Sequence, residues 1–282
     1  MKKVLASMTL TLGLLAAALP AYAADQPIKI DGVAIKSDVK AEFKNNRTMV
    51  PLRIISENLG AKVNWANSVV TIAKGKLTLT LQPGSATAVK NGVKLPLDVK
   101  PYIKNNRVMV PLRFIAETFG STVNYSDSTV TIDNAPLLIG GVKVAALQNE
   151  FHMTMGGMIT QYYGNANIEA VFDAFEANIG KKVDAPSSYS WQVNLDVPGS
   201  YYKNGQFEFL DEQGKSLTRY DIYTLLHSVP EEQLAGYEEI LLYNATEDQW
   251  YTFSRSAYET ISQLMNTAAL NGFSKVISNT IV

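Results

Sequence analysis

The sequence predicts an α+β fold, in which duplicated antiparallel sheet units wrap around short helices and a separate small α+β domain follows. Three observations favour this fold. A segment at 44–53 recurs at 104–113. Short apolar stretches separated by turn residues indicate strands rather than long helices. The second half carries its own apolar helix faces, enough for a second core. We therefore predict domains at residues 27–134 and 137–282, after a leader at 1–23.

The leader has the three parts of a secretory signal. Lys2 and Lys3 are followed by an apolar run over residues 4–19 and by Pro-Ala-Tyr-Ala at 20–23. Small residues at the two positions that signal peptidase reads predict cleavage after Ala23. The apolar run is shorter than the roughly 20 residues of a bilayer span. We expect a secreted, extracellular protein that can associate with the cell wall. Its mature chain is expected to have no membrane span.

Composition narrows the class of protein further. The chain has no cysteine, which excludes a disulfide framework and a lipid-anchored signal. Residues 24–134 hold 15 Lys and Arg against 9 Asp and Glu, a net charge of +6, whereas residues 135–282 hold 8 against 17, a net charge of −9. A basic surface attracts anionic cell-wall polymers. The acidic half, without a nucleic-acid motif, argues against a nucleic-acid partner.

An internal repeat is the most specific feature. Lys-Asn-Asn-Arg-Thr-Met-Val-Pro-Leu-Arg at 44–53 returns with a single change at 104–113, and residues 44–72 and 104–132 share 18 of 29 positions. Such similarity at a fixed offset of 60 residues indicates a duplicated unit.

Each repeat predicts the same local structure. Asn45-Asn46 favours a tight turn, since Asn tolerates the left-handed region. Pro51 suits the start of a helix at 52–59, and Gly60 suits its end. Arg53 and Glu57 form an i,i+4 pair on that helix. The corresponding residues of the second repeat are Asn105-Asn106, Pro111, 112–119, Gly120, Arg113 and Glu117.

Strands follow each helix. Residues 69–72 and 130–132 are short and β-branched, and residues 76–82 alternate between apolar and polar, which predicts a half-buried strand. Asn91-Gly92 between two apolar stretches predicts a hairpin turn.

These residues resemble a known family. The run Asn-Asn-Arg-x-Met-Val-Pro-Leu-Arg, the Glu and Gly that follow, and Val-Asn-Trp or Val-Asn-Tyr before a Thr-Ile strand are similar to the copper amine oxidase N-terminal-like domain. The resemblance covers residues 27–134. It implies a stalk or binding module, a twisted antiparallel sheet around a helix without a metal of its own, which Gram-positive bacteria fuse to surface and wall proteins.

Copper amine oxidase chemistry is excluded by the ligand count. The resemblance to that family implies three histidines and a cofactor-forming Tyr in an Asn-Tyr-acid context. The chain has only His152 and His227, and its Asn124-Tyr125 is followed by Ser126. We expect no cofactor and no metal, and no enzyme in this part of the chain.

Several repeat residues allow two interpretations. Arg47 and Arg107 suit an anion site, but a residue fixed in both copies also suits a carbonyl cap or an ion pair inside its unit. Trp65 and Tyr125 suit stacking on sugar rings or a lid over the neighbouring helix. We treat the motif positions as structural: Arg47, Pro51, Arg53, Glu57, Gly60, Trp65, Arg107, Pro111, Arg113, Glu117, Gly120 and Tyr125.

The acidic half resembles no family that we recognise. We predict a hairpin at 137–147. We also predict four helices: one from Asn167 to Gly180, one at 220–227, one that starts at Pro230, and one that opens with a capping box at Ser256 and Glu259. We also predict a strand at 207–210 with a turn at 211–214, and a hairpin at 239–253.

Function is less specified in this half. Neither histidine lies in a metal or nucleophile motif, and Met153, Met155 and Met158 suit packing better than ligation. Adjacent acid pairs, such as 231–232, indicate solvated turns, and many tyrosines suit either a recognition surface or a core with wet edges.

We therefore expect a secreted, non-catalytic stalk or binding protein of the bacterial surface or wall. Its partner would be an anionic wall polymer or a surface protein. Two alternatives remain open, which are a wall-active or secreted enzyme with an unrecognised catalytic domain at 137–282, and an inhibitor or regulator of another secreted protein.

Overall fold

The computed structural model describes residues 27–126, 129–153 and 155–281. The leader at 1–23 and its cleavage position Ala23 lie outside the described residues. The described chain is mixed α+β, dominated by antiparallel sheets with four α-helices, which confirms the α+β part of the prediction. None of the helices within these ranges is long and apolar enough to cross a bilayer.

The amino-terminal part consists of short strands and two short helices. In chain order they are β1 (Ile28–Ile30), β2 (Val33–Ala34), β3 (Glu42–Lys44), β4 (Arg47–Pro51), α1 (Leu52–Asn58), β5 (Lys62–Ala66), β6 (Val69–Lys74), β7 (Leu77–Leu81), β8 (Thr87–Lys90), β9 (Val93–Pro96), β10 (Tyr102–Lys104), β11 (Arg107–Pro111), α2 (Leu112–Thr118), β12 (Thr122–Ser126) and β13 (Thr129–Asp133).

These strands form three sheets, in the orders β10-β11-β4-β3, β5-β6-β7-β8-β9 and β12-β13-β1-β2. In the first sheet β4 and β11 pair antiparallel, with Val50 opposite Val110 and Met49 opposite Pro111. Corresponding positions of the two repeats therefore lie against each other. Val50 and Val110 are fully buried in the apolar core that also contains both helices.

Both short helices lie where the sequence predicts them. Each follows its proline directly and ends within one residue of the predicted position. Gly60 and Gly120 come just after the helix ends with φ of 78° and 85°, a left-handed conformation that glycine adopts without strain. The asparagine pairs at 45–46 and 105–106 also have positive φ, as expected for tight turns.

The carboxy-terminal part contains longer strands and longer helices. They are β14 (Leu138–Ile139), β15 (Val142–Lys143), β16 (Ala146–Met153), β17 (Gly156–Tyr162), α3 (Asn165–Glu176), β18 (Lys182–Val183), β19 (Tyr189–Ser190), β20 (Tyr201–Leu210), β21 (Ser216–Leu225), β22 (Ile240–Asn244), β23 (Gln249–Thr252), α4 (Arg255–Leu270) and β24 (Ser274–Asn279).

Nine of these strands form one sheet, in the order β18-β23-β22-β21-β20-β16-β17-β24, with β19 beside β20. Helices α3 and α4 contact each other and cover one face, where Phe175 and Ile261 are buried against Phe209. The other face has a smaller apolar cluster around Tyr223 and Trp250. The central strands are therefore buried on both faces.

Burial on both faces explains one wrong prediction. Residues 220–227 were expected to form a helix, but the segment belongs to the ten-residue strand β21. Tyr220 and Ile222 face the helices, whereas Tyr223 and Leu225 belong to the cluster on the opposite face. A strand that is apolar on both sides lacks the alternation that identifies strands in a sequence.

Two helix starts also differ from prediction. The helix expected from Asn167 begins at Asn165 after Gly164, and it ends at Glu176, before Gly180. The last helix was expected to open with a box at Ser256 and Glu259. It opens two residues earlier, where Ser254 Oγ accepts a hydrogen bond from the Ala257 amide at 3.1 Å. In contrast, Pro230 does precede a single 3₁₀ turn.

The two parts of the chain contact each other. Ala268 and Phe273 are buried in the same core as the repeat residues. The Asp31 carboxylate accepts a hydrogen bond from the Ala166 backbone amide at 3.4 Å, and the Asn165 side chain donates to the Asn134 carbonyl at 2.8 Å. Lys74 forms a 3.0 Å ion pair with Glu169 on α3.

Candidate functional site

A groove of about 210 Å³ lies where the two repeats meet. Leu52 and Arg53 at the start of α1, with Trp65 on β5, form one wall. The other wall comes from the second repeat, where Asn106 and Arg107 lie at the turn before β11. The groove therefore combines an aromatic ring from one repeat with a guanidinium from each, and Val63, Val70 and Val108 complete its lining.

Trp65 lies on the surface of this groove, with 42% of its area exposed. Beside it, Arg53 donates to Glu57 Oε1 at 3.0 Å and to the Val63 carbonyl at 3.2 Å. These contacts orient the guanidinium on the groove wall. A flat exposed ring beside fixed N–H donors suits a ligand that has both a ring face and hydrogen-bond acceptors.

The second repeat places equivalent residues in an equivalent setting. Helix α2 contacts β12 and β4, as α1 contacts β5 and β11. Tyr125 is 45% exposed, and the Arg113 guanidinium lies 5.2 Å from the centre of its ring. Arg113 also faces Glu117, with Nε 3.6 Å from Oε1. We call the pocket between the repeats the Trp65 groove.

The repeats exchange ion pairs. Arg47 lies 2.5 Å from Asp98, and Arg107 lies 2.6 Å from Asp38, so each arginine binds the carboxylate that occupies the same place in the other repeat. We expected such an acid inside each unit, and the structure corrects this. The carbonyl contact does occur, since Arg47 donates to Asn46 O at 3.1 Å and Arg107 to Asn106 O at 3.4 Å.

Pro51 and Pro111 play a structural part. Each is the last residue of its strand and the cap of the following helix, with ψ of 119° and 121°. They end the central strands and set the direction of α1 and α2. The first residues of those helices are thereby brought to the groove walls.

Sequence reasoning missed two exposed apolar residues of the first sheet. Phe43 and Ile103 are separated by the same 60 residues and are 68% and 57% exposed. Ile103 pairs across the sheet with Val108, a lining residue of the Trp65 groove, and Phe43 pairs with Thr48. Ile103 therefore lies next to the Trp65 groove, and Phe43 occupies the equivalent position of the first repeat. The repeat offset was the signal that identifies them.

A second region of interest is a cleft of about 510 Å³ in the carboxy-terminal part. His152 and Tyr202 line it together with Trp191, whose ring centre lies 4.5 Å from that of His152. The Nε2 atom of His152 lies 2.7 Å from Glu150 Oε1. The Tyr202 hydroxyl donates to the His152 carbonyl rather than to its ring.

A buried polar cluster lies beside this cleft. Lys203 Nζ lies 4.6 Å from the Trp191 ring centre and 2.8 Å from Asp221 Oδ2. Arg219 shares the same carboxylate oxygen at 3.2 Å, and Asp221 is 1% exposed. Burial lowers the pKa of Lys203, partly offset by Asp221. Nothing in the sequence identified this cluster, because its members are spread over separate strands.

The other candidate residues of this half are dispersed. His227 lies on the surface between Glu239 and Glu231, at 3.0 and 3.3 Å, and its pKa is raised by the hydrogen bond to Glu239. Met153 and Met155 are more than half exposed. Within the described ranges, no three His, Cys, Asp or Glu side chains are grouped so that they could hold a metal ion.

Comparison with known proteins finds a family match for one part of the chain. Residues 29–134 match the family model of the copper amine oxidase N-terminal domain. That domain precedes the catalytic domain of those enzymes and is not itself catalytic. No solved structure matches the chain.

Proposed function

We propose that the protein is an exported, non-catalytic binding protein of a bacterial cell surface or wall. In this proposal residues 27–134 are two duplicated sheet-and-helix units that contact the envelope. Residues 137–282 form an acidic domain that packs against these units and presents a recognition surface to a protein or glycan. The match of residues 29–134 to an N-terminal rather than a catalytic domain supports a non-catalytic role.

The observation that carries the proposal is the Trp65 groove. An exposed aromatic ring lies beside an arginine in both repeats, because Trp65 and Tyr125 are 42% and 45% exposed and do not belong to the buried core. Aromatic rings this exposed, next to hydrogen-bond donors, are typical of carbohydrate contacts. The polymer that binds would place sugar rings on them.

Charge acts at longer range. Arg53 and Arg107, the two arginines of the Trp65 groove, each face a carboxylate, so the groove itself is close to neutral. The excess of positive charge lies in the lysines of residues 24–134. These attract an anionic wall polymer from a distance, and salt weakens the attraction, whereas the exposed rings of Trp65 and Tyr125 hold the sugar rings in place.

Retention on isolated bacterial cell walls tests both parts. Raising the salt from about 0.1 M to about 1 M shortens the Debye length from about 10 Å to about 3 Å, so the retained fraction should fall several-fold. The double variant Trp65→Leu/Tyr125→Leu keeps apolar cover but loses both flat faces. It should be retained less than the parent at low salt as well.

Tyr237→Leu is the matched control, since Tyr237 is 45% exposed and lies in the acidic half. It should be retained like the parent on the same walls. Retention that is absent, or unchanged at high salt, would contradict the electrostatic contact. Retention of the double variant at the parent's level would exclude a contact at the two rings.

One observation favours a second candidate, a wall-active or secreted enzyme. The His152–Glu150 pair lies at a cleft, and a histidine oriented by a carboxylate is a common general base. The test is hydrolysis of cell-wall glycan and peptide by the purified chain and by His152→Gln. Activity lost in that variant would favour the enzyme, and equal absence of activity in both proteins would exclude it.

A further inference from the structure

We propose that Lys203 and Asp221 condense to a covalent side-chain amide, which joins β20 to β21 inside the acidic half. The Lys203 side chain is 8% exposed and that of Asp221 is 1% exposed, and Lys203 Nζ lies 2.8 Å from Asp221 Oδ2. This inference does not depend on the proposed function. It assigns a modification site to the buried cluster beside the His152 cleft, in a chain that has no cysteine for a disulfide.

Strand pairing brings the two side chains together. Lys203 lies opposite Tyr223 and Gln206 lies opposite Asp221, with a register shift after Lys203. Because residues two apart on a strand point to the same face, Asp221 shares the face of Tyr223 and therefore that of Lys203. Lys203 also donates to Gln206 Oε1 at 2.8 Å, and its Nζ lies 4.6 Å from the centre of the Trp191 ring. The amine is thus placed against the carboxylate by several neighbours.

The contact is incompletely satisfied as an ion pair. Asp221 Oδ1 and Arg219 Nε are buried and have no hydrogen-bond partner within the described part of the chain. Buried charges are costly unless all their polar atoms are paired. Burial also lowers the pKa of Lys203, which favours the uncharged amine that can act as a nucleophile. An amide removes both charges and with them the cost of burying them.

The reaction balances without another reactant. A proton passes from the Lys203 ammonium to the Asp221 carboxylate, and the neutral Nζ then attacks Cγ. A carbonyl bond length of about 1.2 Å puts Cγ within about 4 Å of Nζ. Negative charge develops on Oδ2, to which Arg219 donates at 3.2 Å. The Cγ–Oδ1 bond breaks, and Oδ1 leaves as water with two of the three ammonium protons, while the third stays on the amide nitrogen.

The surroundings favour this product. Groups that are held in contact and well oriented react as if present at about 10⁵ M or more. The burial of both side chains keeps out the water that the reverse reaction consumes. The pair Lys143–Glu212 has a similar distance of 3.1 Å, but its side chains are 49% and 61% exposed, so it should remain an ion pair.

Mass spectrometry of the folded, purified full chain tests the proposal. The chain should be lighter, by one water molecule, than its sequence counted from the observed first residue. Trypsin cleaves after Lys and Arg, so it should release a branched peptide in which residues 183–215 are joined to residues 220–255. Fragmentation of this peptide should locate the bond at Lys203 and Asp221. A chain of full mass that yields the linear peptide 220–255 would overturn the proposal.

Lys203→Arg is the matched control. It keeps a positive charge beside Asp221 but has no amine that condenses, so it should show the full mass and the linear peptide 220–255. Loss of water without the branched peptide, for example by ring closure at Asp31-Gly32, would also overturn the proposal. The mass of the parent chain decides the outcome by itself, so the test does not depend on the folding of a variant.

Discussion

The two repeats share most of their motif, yet their sheets are completed differently. In the first, β6 pairs with β7, which pairs in turn with the hairpin β8–β9. In the second, β13 pairs directly and in parallel with β1, from the hairpin β1–β2 at the start of the described chain. Residues 28–34 and 88–94 are separated by the repeat offset, so equivalent hairpins join different neighbours.

The surroundings of the repeats differ as well. Gly60 lies against α3, where an added Cβ would come within 2.9 Å of the Ala166 carbonyl oxygen, whereas Gly120 faces open space. Ser56 and its counterpart Ala116 are both fully buried. The same motif is thus used once in contact with the acidic half and once away from it, which makes paired substitutions informative.

The largest expected effect is on the core that both repeats share. Ile55 and Ile115 are 1% and 0% exposed, so Ile55→Ala and Ile115→Ala should each lower the free energy of unfolding by about 2–5 kcal/mol. Urea denaturation measures both losses. Ile103→Ala, at an exposed position, should change it by less than about 0.5 kcal/mol. A small loss at only one isoleucine would show that the repeats do not share the core equally.

The helix-ending glycines should separate the repeats. Gly120→Ala places a side chain at φ of 85°, which costs about 1–2 kcal/mol of stability. Gly60→Ala has the same backbone strain and also collides with α3, which adds about 1–3 kcal/mol. Thermal or urea unfolding of the two variants checks the order. Equal losses would mean that α3 moves aside freely.

The buried Ser56 should also distinguish the two repeats, but here the substitution in the first repeat should cost less stability than the one in the second. Ser56 Oγ has no hydrogen-bond partner within the described part of the protein, and the second repeat has alanine there. Ser56→Ala should leave stability unchanged or raise it, because a buried unsatisfied hydroxyl is removed. Ala116→Ser should lower the free energy of unfolding by about 1–3 kcal/mol. A clear loss in Ser56→Ala would indicate an unseen partner, such as a bound water.

The smallest effect concerns the exchanged ion pairs. Asp38→Asn and Asp98→Asn each remove the partner of an arginine whose side chain is nearly half exposed. Each should cost less than about 1 kcal/mol, and the cost should shrink at high salt. The two losses should be equal within error if the pairs are equivalent. A loss of several kcal/mol would assign these pairs a larger part in joining the repeats.

The same comparison shows how far the sequence could predict this structure. In the repeats, prolines, glycines and asparagine pairs act over a few residues, and the predicted helices and turns are confirmed there. In the acidic half, β16 and β17 at 146–162 and β24 at 274–279 were not predicted, and β21 was predicted as a helix. Their strands are buried on both faces or mix polar and apolar residues, so periodicity fails.

The candidate site was predictable only in part. Arg53, Trp65 and Arg107 were all identified from the repeat. Nothing in the local sequence indicates that Arg107, from the second repeat, lines the same groove as Arg53 and Trp65 of the first. The cluster of Lys203, Asp221 and Arg219 gave no signal, because its members join only when β20 and β21 pair. Contacts of this kind depend on long-range pairing, which a local pattern does not contain.

The sequence by itself determined the duplication, the short helices between Pro51 and Gly60 and between Pro111 and Gly120, the turns, and the unequal charge of the two halves. These features follow from backbone preferences, which act over a few residues, and from composition, which does not depend on the fold. Only the tertiary structure decided that Arg47 binds Asp98 and Arg107 binds Asp38, and that β1 completes the sheet of β13. Such pairings depend on which surfaces meet when the chain compacts, and several partners are compatible with the same local sequence.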